Sequence, residues 1–240
     1  MFPVGDDNSD MVIIPYVNYA FIVINILVFI LLQGIGGNEA FTYAFSLVPL
    51  EITSGVDLVG PQTITVGQES AQLIHQPATL GVYFNFLSSM FMHGGISHIV
   101  GNMLFLWVFG DNIENLVGHI RFAIFYIVCG FGAAFAQIIM DTSSIIPMLG
   151  ASGAISGVLG GYVLLFPRRK VRALLFNMYT TVPAFVAVGL WIGYQLVMGY
   201  LNSGVGGGVA YAAHIGGFVA GVVLIKLFAF GKSPRVYRRV

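Results

Sequence analysis

Residues 149–166 read LGASGAISGVLGGYVLLF and contain no charged side chain. A helix needs about 20 mostly apolar residues to cross the hydrocarbon core of a bilayer. Within the stretch, Gly153, Gly157 and Gly161 recur at four-residue spacing and therefore share one face of a helix. Small residues at this spacing let two helices approach closely inside a membrane. The stretch predicts a membrane span whose glycine face packs against a second span.

The composition of the whole chain also indicates a membrane environment. Its 240 residues are 57% hydrophobic and 8% charged, whereas soluble domains carry about 25% charged residues. These values exclude a water-soluble globule and a disordered chain. The formal net charge is zero, so we expect no nucleic-acid partner. Cys129 is the single cysteine, which excludes an intrachain disulfide and a thiolate metal cluster. We expect no metal and no cofactor.

Hydrophobic stretches predict the fold class. We predict an all-α membrane protein, a six-transmembrane-helix bundle, with a long outer loop over about residues 34–90 between helices 1 and 2. The whole chain, 1–240, is expected to form one polytopic membrane domain with short tails. The predicted spans are about Tyr16–Gln33, Phe91–Gly110, Phe122–Met140, Leu149–Phe166, Ala173–Leu201 and Val209–Phe230.

Basic residues predict the orientation of the chain. With six spans, each falls in or beside the loop after span 2, the loop after span 4 or the C-terminal tail, and all lie on one side of the membrane. The positive-inside rule assigns that side to the cytoplasm, with both termini, and we expect the protein in a cell inner or plasma membrane. The basic residues are Arg121, Arg168, Arg169, Lys170, Arg172, Lys226, Lys232, Arg235, Arg238 and Arg239.

Polar side chains inside the spans are candidates for function, because each is costly in hydrocarbon. Taken singly, a serine at a helix start is usually a cap and a histidine is often a packing residue. Measured from the cytoplasmic end of its span, Ser152 lies about 22 Å up, His98 about 24 Å and His214 about 25 Å. Asn102 lies one turn below His98. Three helices thus place a serine, an imidazole and a pair of donors at one depth.

A second stripe of small residues can bring these groups together laterally. Ala213, Gly217 and Gly221 have the same spacing in span 6 that the glycines have in span 4. Ser152 is next to the start of one stripe and His214 is next to the start of the other. Close contact of the stripes would place Ser152 Oγ near the His214 ring, although the stripes can also serve packing alone.

These groups can support nucleophilic acyl transfer. The serine hydroxyl needs a base within hydrogen-bond reach, and His214 can act as that base. Backbone N–H groups at the start of span 4, including that of Gly153, and side chains of His98 and Asn102 can stabilise an oxyanion. No Asp or Glu lies in a span at this depth, so the prediction is a Ser–His dyad.

Three signatures, in this order, resemble those of the rhomboid intramembrane serine proteases. The resemblance covers about residues 84–230 and implies a six-helix bundle whose Ser–His dyad lies in a water-filled cavity open to the outer side. It also implies cleavage of a peptide bond in or next to the transmembrane segment of a single-span membrane protein. The signatures are His93-x4-His98-x3-Asn102-Met103 followed by Phe109-Gly110, then Gly150-Ala151-Ser152-Gly153, then Ala212-Ala213-His214-Ile215-Gly216-Gly217.

The resemblance assigns roles by motif position. Ser152 is the nucleophile, His214 the base, and His98 and Asn102 are oxyanion donors. His93 is a structural or water-binding residue near the cavity mouth. Glu114 closes a network on the cytoplasmic side.

Two positions depart from the pattern of many rhomboids. The loop after span 1 has no Trp-Arg pair, so another contact anchors it. One turn after Ser152, where many rhomboids have an aromatic ring, this chain has Ser156. A hydrogen bond from Ser156 or an aromatic ring from another span therefore orients His214.

Other functional classes fit the sequence less well. The main alternative is a catalytically inactive rhomboid-like scaffold that binds membrane proteins. A transporter or channel is disfavoured because the polar cluster has no carboxylate in mid-membrane and the helices have no paired breaks. A metalloprotease is disfavoured because His-Glu-x-x-His is absent.

Overall fold

The computed structural model describes residues 2–66, 69–175, 178–201 and 209–232. Six longer helices build most of the fold. They are α1 (Tyr16–Leu27, continuing as a π-helical turn over Val28–Leu32), α5 (Ile96–Val117), α6 (His119–Met140), α7 (Ser152–Leu165), α8 (Ala184–Leu201) and α9 (Tyr211–Phe228).

Shorter elements fill the segment between α1 and α5. They are α2 (Glu39–Ala44), α3 (Pro49–Ser54), the antiparallel strands β2 (Gly60–Val66) and β3 (Glu69–His75), and α4 (Asn85–Ser88), with 3-10 turns over Gly34–Gly36, Val82–Phe84 and Ser89–Phe91. A second sheet joins β1 (Phe2–Asp6), β4 (Lys170–Leu175) and β5 (Met178–Pro183) in the order β1-β4-β5. The fold is therefore mostly helical, and the all-α prediction omitted two small sheets.

The apolar helices agree with an integral, multi-pass membrane protein. Among the described residues, α6, α8 and α9 are each long and apolar enough to cross a membrane. A fourth span results if Val82–Phe91 and α5, which meet at a bend of 77°, are counted together. The helices over Tyr16–Leu32 and α7 are apolar but shorter. The described residues thus contain three to four candidate spans by length and composition, whereas hydropathy predicts six.

Two predicted span boundaries are wrong. The fifth span was predicted to start at Ala173, but α8 starts at Ala184 because residues 170–175 and 178–183 form the paired strands β4 and β5. Buried Val171 and Ala173 alternate with exposed neighbours, which is the pattern of a strand. The second span was predicted to end at Gly110, but α5 continues to Val117.

Helix α7 lies at the centre of the bundle. Ten of its 14 residues are buried, and it packs against α5, α6 and α9. The small residues on α7 and α9 face each other, because a Cβ atom added to Gly217 would collide with the carbonyl oxygen of Gly153. A Cβ atom on Gly221 would collide with Gly157 in the same way, and one on Gly161 would lie 3.0 Å from the Ile225 side chain. Backbone contact between α7 and α9 positions the site.

The segment between α1 and α5 is anchored on the loop that precedes α7. Leu47 and Met148 exchange backbone hydrogen bonds of 3.0 and 2.8 Å. The buried Asn85 side chain donates to the carbonyl oxygens of Ala44 and Ser46. These contacts anchor the segment without the Trp-Arg pair.

Candidate active site

Ser152 begins α7 directly after a tight turn. Gly150 in this turn has φ +129°, a backbone conformation that residues with a side chain rarely adopt. A Cβ atom at Gly150 would also lie 2.9 Å from His98 Nε2. The Gly150 N–H donates to the carbonyl oxygen of Ser89 over 2.8 Å, which fixes the turn. The sequence therefore brings the start of α7 close to the His98 ring.

The structure brings Ser152 and His214 into hydrogen-bond contact. Ser152 Oγ lies 2.7 Å from His214 Nε2. The backbone contact between α7 and α9 allows this distance. The N–H of Ala213, at the start of α9, donates to Gln137 Oε1 of α6 over 3.2 Å. The first turn of α9 is thus fixed to α6 at the point from which His214 projects.

The other ring nitrogen of His214 contacts α8. His214 Nδ1 lies 2.8 Å from Oε1 of the buried Gln195. The Trp191 ring, one helical turn earlier, lies 6.0 Å from the imidazole ring between centroids. Ser156 Oγ donates to the carbonyl oxygen of Ser152 over 2.6 Å. Of the two groups expected to orient His214, the aromatic ring of another helix is present, because Trp191 of α8 lies next to the imidazole. The Ser156 hydroxyl instead donates within α7.

His98 presents a donor toward Ser152. The Gly94 N–H donates to His98 Nδ1 over 3.3 Å, so in the neutral ring the proton is on Nε2. Nε2 is the atom that lies against Gly150, two residues before Ser152.

Asn102 and Gly153 are the other two residues predicted to stabilise the oxyanion. Asn102 is 8% exposed, and its Nδ2 has no hydrogen-bond partner among the described residues. Gly153 is buried in the first turn of α7, where backbone N–H groups have no partner within the helix.

His93 is fully buried, and neither of its ring nitrogens has a hydrogen-bond partner among the described residues. Its backbone N–H donates to Gln33 Oε1 and its carbonyl oxygen accepts from Gln33 Nε2, both over 2.9 Å. Its ring contacts the His98 ring edge-on at 5.1 Å. Gln33 therefore fixes the backbone of the segment that leads into α5.

Glu114 lies at the far end of α5 from this cluster. Its carboxylate accepts from the backbone N–H groups of Val17 and Asn18 over 3.0 and 2.6 Å. The His119 ring nitrogen Nδ1 lies 2.5 Å away. Because these N–H groups lie in the first turn of α1, Glu114 satisfies donors that the helix itself leaves unpaired.

A small cavity of about 40 Å³ adjoins Ser152. Its lining is mostly small or apolar and includes Met90, Gly130, Ala133 and Ala134. It can accept a short apolar side chain next to the serine hydroxyl.

Two glutamines that were not predicted from the sequence contact His214 and the helix that carries it: Gln195 lies against the His214 ring, and Gln137 accepts from the Ala213 N–H. Both are amides in stretches predicted to span the membrane. An intramembrane polar side chain is costly and by default suggests a function. The polarity of these two side chains inside predicted spans is therefore the sequence signal that marks them as candidates.

A family model described as the Rhomboid domain matches residues 80–230, more than half of the chain. The chain belongs to the rhomboid family. This rhomboid is 32% identical over 205 residues to the Rhomboid protease GluP of Bacillus subtilis, an alignment that covers 82% of the chain and 37% of GluP. It is 28% identical over 216 residues to RHOMBOID-like protein 4 of Arabidopsis thaliana, covering 88% of the chain and 52% of that protein.

A third relative is Rhomboid protein 1, mitochondrial, of Saccharomyces cerevisiae. It is 30% identical over 146 residues, which cover 58% of this chain and 40% of the yeast protein. The rhomboid thus spans about half or less of the length of these relatives.

Proposed function

We propose that this rhomboid is an intramembrane serine endopeptidase. It hydrolyses a peptide bond in or next to the transmembrane segment of a single-span membrane protein within the lipid bilayer. The observation that carries the proposal is the 2.7 Å contact between Ser152 Oγ and His214 Nε2. A nucleophile within hydrogen-bond reach of a base is the arrangement that acyl transfer requires.

The reaction proceeds in two steps. Ser152 Oγ attacks the substrate carbonyl carbon while His214 Nε2 takes the hydroxyl proton. His98 Nε2–H, Asn102 Nδ2–H and the backbone N–H groups at the start of α7 stabilise the resulting oxyanion. The C–N bond breaks as His214 returns the proton to the leaving amine. A water molecule, deprotonated by His214, then attacks the acyl-enzyme carbonyl carbon, and the C–O bond to Ser152 Oγ breaks as His214 returns the proton to Oγ.

The topology proposed for this enzyme has six spans, with both termini cytoplasmic and the dyad open to the outer side. The up to four candidate spans, together with the two shorter apolar helices over Tyr16–Leu32 and Ser152–Leu165, support the count. Arg121, Arg168 and Arg169 are near the ends of helices opposite the Ser152 end of the bundle, which supports the orientation.

The decisive experiment uses the protein in liposomes with a single-span model substrate that carries alanine before the scissile bond, to suit the small cavity. We expect new termini in or next to the substrate span, identified by mass spectrometry. Ser152→Ala and His214→Ala should each abolish cleavage, and a fluorophosphonate probe should label the wild type but not Ser152→Ala.

A matched control is Ser97→Ala, which removes an exposed hydroxyl next to His98. It should retain both cleavage and labelling. Cleavage by Ser152→Ala at the wild-type rate would contradict the dyad. A folded wild type that neither cleaves nor reacts with the probe would favour the inactive scaffold.

A further inference from the structure

The hydrogen-bond chain that begins at Ser152 ends on α8. His214 Nε2 faces Ser152 Oγ, and His214 Nδ1 faces Gln195 Oε1 over 2.8 Å. Gln195 is 6% exposed, so bulk water has little access to this contact. A carbonyl oxygen only accepts hydrogen bonds, so Nδ1 must carry the proton of the neutral ring. Nε2 then presents its lone pair to the serine hydroxyl.

We propose that Gln195 is the positioning residue that holds His214 in the tautomer able to accept the Ser152 proton. The inference rests on the proposed protease function. In a Ser-His-Asp triad, a carboxylate at Nδ1 fixes the tautomer and also stabilises the imidazolium. The neutral amide of Gln195 performs the first task only. Among the described residues, no carboxylate hydrogen-bonds to His214.

Trp191 adds a second constraint from the same helix. Residues four apart share a helix face, and Trp191 and Gln195 both contact the imidazole. The indole ring limits rotation of the imidazole, and the amide selects its protonation site. Helix α8 thus contributes the orientation of the base, while α7 and α9 contribute the reacting groups.

The first test is Gln195→Leu, which keeps a similar volume and removes the acceptor. We expect kcat for the model substrate to fall about 10- to 100-fold, as for loss of other hydrogen bonds that orient a histidine. KM should stay within about twofold, because Gln195 is buried behind the ring. The matched control is Leu190→Ala on the exposed face of α8, which should leave kcat unchanged.

Two further readouts separate positioning from packing. In protein labelled with ¹⁵N-histidine, the His214 signals, assigned by their loss in His214→Ala, should show a protonated Nδ1 in the wild type. In Gln195→Leu, protonated Nε2 should increase. Gln195→Glu restores an acceptor, so kcat should recover. Its negative charge should move the acid limb of the kcat profile to higher pH.

The outcomes distinguish this inference from the proposed function. An active wild type with unchanged kcat and tautomer in Gln195→Leu would overturn the role of Gln195 and leave the protease assignment standing. If Gln195→Leu does not fold, an unshifted acid limb in Gln195→Glu would overturn it. Without any cleavage by the wild type, the protease assignment fails, and the ¹⁵N measurement still decides whether Gln195 selects the tautomer.

Discussion

At the scale of single residues, Asn102 is buried with an amide donor that makes no hydrogen bond to the described residues. Such a donor normally costs about 1–3 kcal/mol. This cost is offset during a reaction if the free donor stabilises negative charge that develops in the transition state. We therefore predict that Asn102→Ala lowers kcat by about 10²- to 10³-fold, the usual effect of losing one oxyanion donor, with KM unchanged.

The control for this prediction is Asn25→Ala. Asn25 is also buried, but its amide donates to the carbonyl oxygen of Phe21 within α1. Steady-state kinetics of both variants in liposomes should show the loss of kcat only in Asn102→Ala. A normal kcat in that variant would leave Asn102 with a packing role.

Residue-scale chemistry was only partly predictable from the sequence. The depth of Ser152, His98 and His214 follows from helix rise, which is the same in every protein. The contact between Gln195 and His214 depends on how α8 rotates against α9, and no periodicity in α8 encodes that angle. The polarity of Gln195 could have marked it as a candidate but could not have identified its partner.

At the scale of elements, the α7–α9 contact tolerates no Cβ atom at Gly217. That atom would collide with the Gly153 carbonyl oxygen and lie 3.2 Å from Ala133 Cβ. We predict that Gly217→Ala separates the two helices, destabilises the fold by about 1–3 kcal/mol and lowers kcat, because Ser152 and His214 move apart. Thermal unfolding in detergent and turnover in liposomes measure the two effects.

Gly189→Ala is the matched control. Nothing lies within 4 Å of a Cβ atom at Gly189, which is inside α8. Alanine there should stabilise the helix by up to about 1 kcal/mol, since glycine has lower helix propensity. Equal melting temperatures and rates for Gly217→Ala and the wild type would show that the stripes do not pack against each other.

Elements differ in how well the sequence predicts them. The stripes of small residues at four-residue spacing are local sequence patterns, and the close packing of α7 against α9 could be predicted from them. The strand pair β4–β5 was missed because no charged residue separates it from the apolar residues of α8. Only the alternation around Val171 and Ala173 marks it, and a few residues of alternation are too short to outweigh a long apolar stretch.

At the scale of the whole molecule, the N-terminal strand joins the ends of several helices that lie opposite the Ser152 end of the bundle. Strand β1 pairs with β4, which follows α7. The Asp6 carboxylate accepts from Tyr162 Oη of α7 over 2.5 Å and from Asn112 Nδ2 of α5 over 2.7 Å. Arg169 pairs with Asp10 over 2.5 Å. Charge placement predicted that these segments share one side but could not predict a sheet between residues 165 positions apart or more.

This network predicts how stability depends on pH. Burial raises the pKa of the Asp6 carboxyl from its usual 3.8 to about 7, against the lowering effect of the Tyr162 hydrogen bond. The folded state then binds the proton more tightly than the unfolded chain does. The stabilisation is complete below about pH 4 and is lost as the pH rises through about 7. Because Asn cannot ionise, Asp6→Asn should reduce the fall in melting temperature between pH 4 and pH 8, measured in detergent.

Asp7→Asn is the control for this measurement, because the neighbouring carboxyl is exposed and hydrogen bonds from Ser9 lower its pKa. A group of this kind stabilises the fold above its unfolded pKa of about 3.8, so its contribution is nearly complete at pH 4 and its removal should leave the fall in melting temperature between pH 4 and pH 8 almost unchanged. Asp6→Asn should thus reduce the slope and Asp7→Asn should leave it unchanged, although the two residues are neighbours in the sequence. If Asp6→Asn and the wild type lost the same melting temperature over this range, Asp6 would be ionised throughout. The N-terminal strand would then be held by an anion accepting from Tyr162 and Asn112, and the pH dependence would have to come from another buried carboxyl such as Glu51, whose pKa burial also raises to about 7.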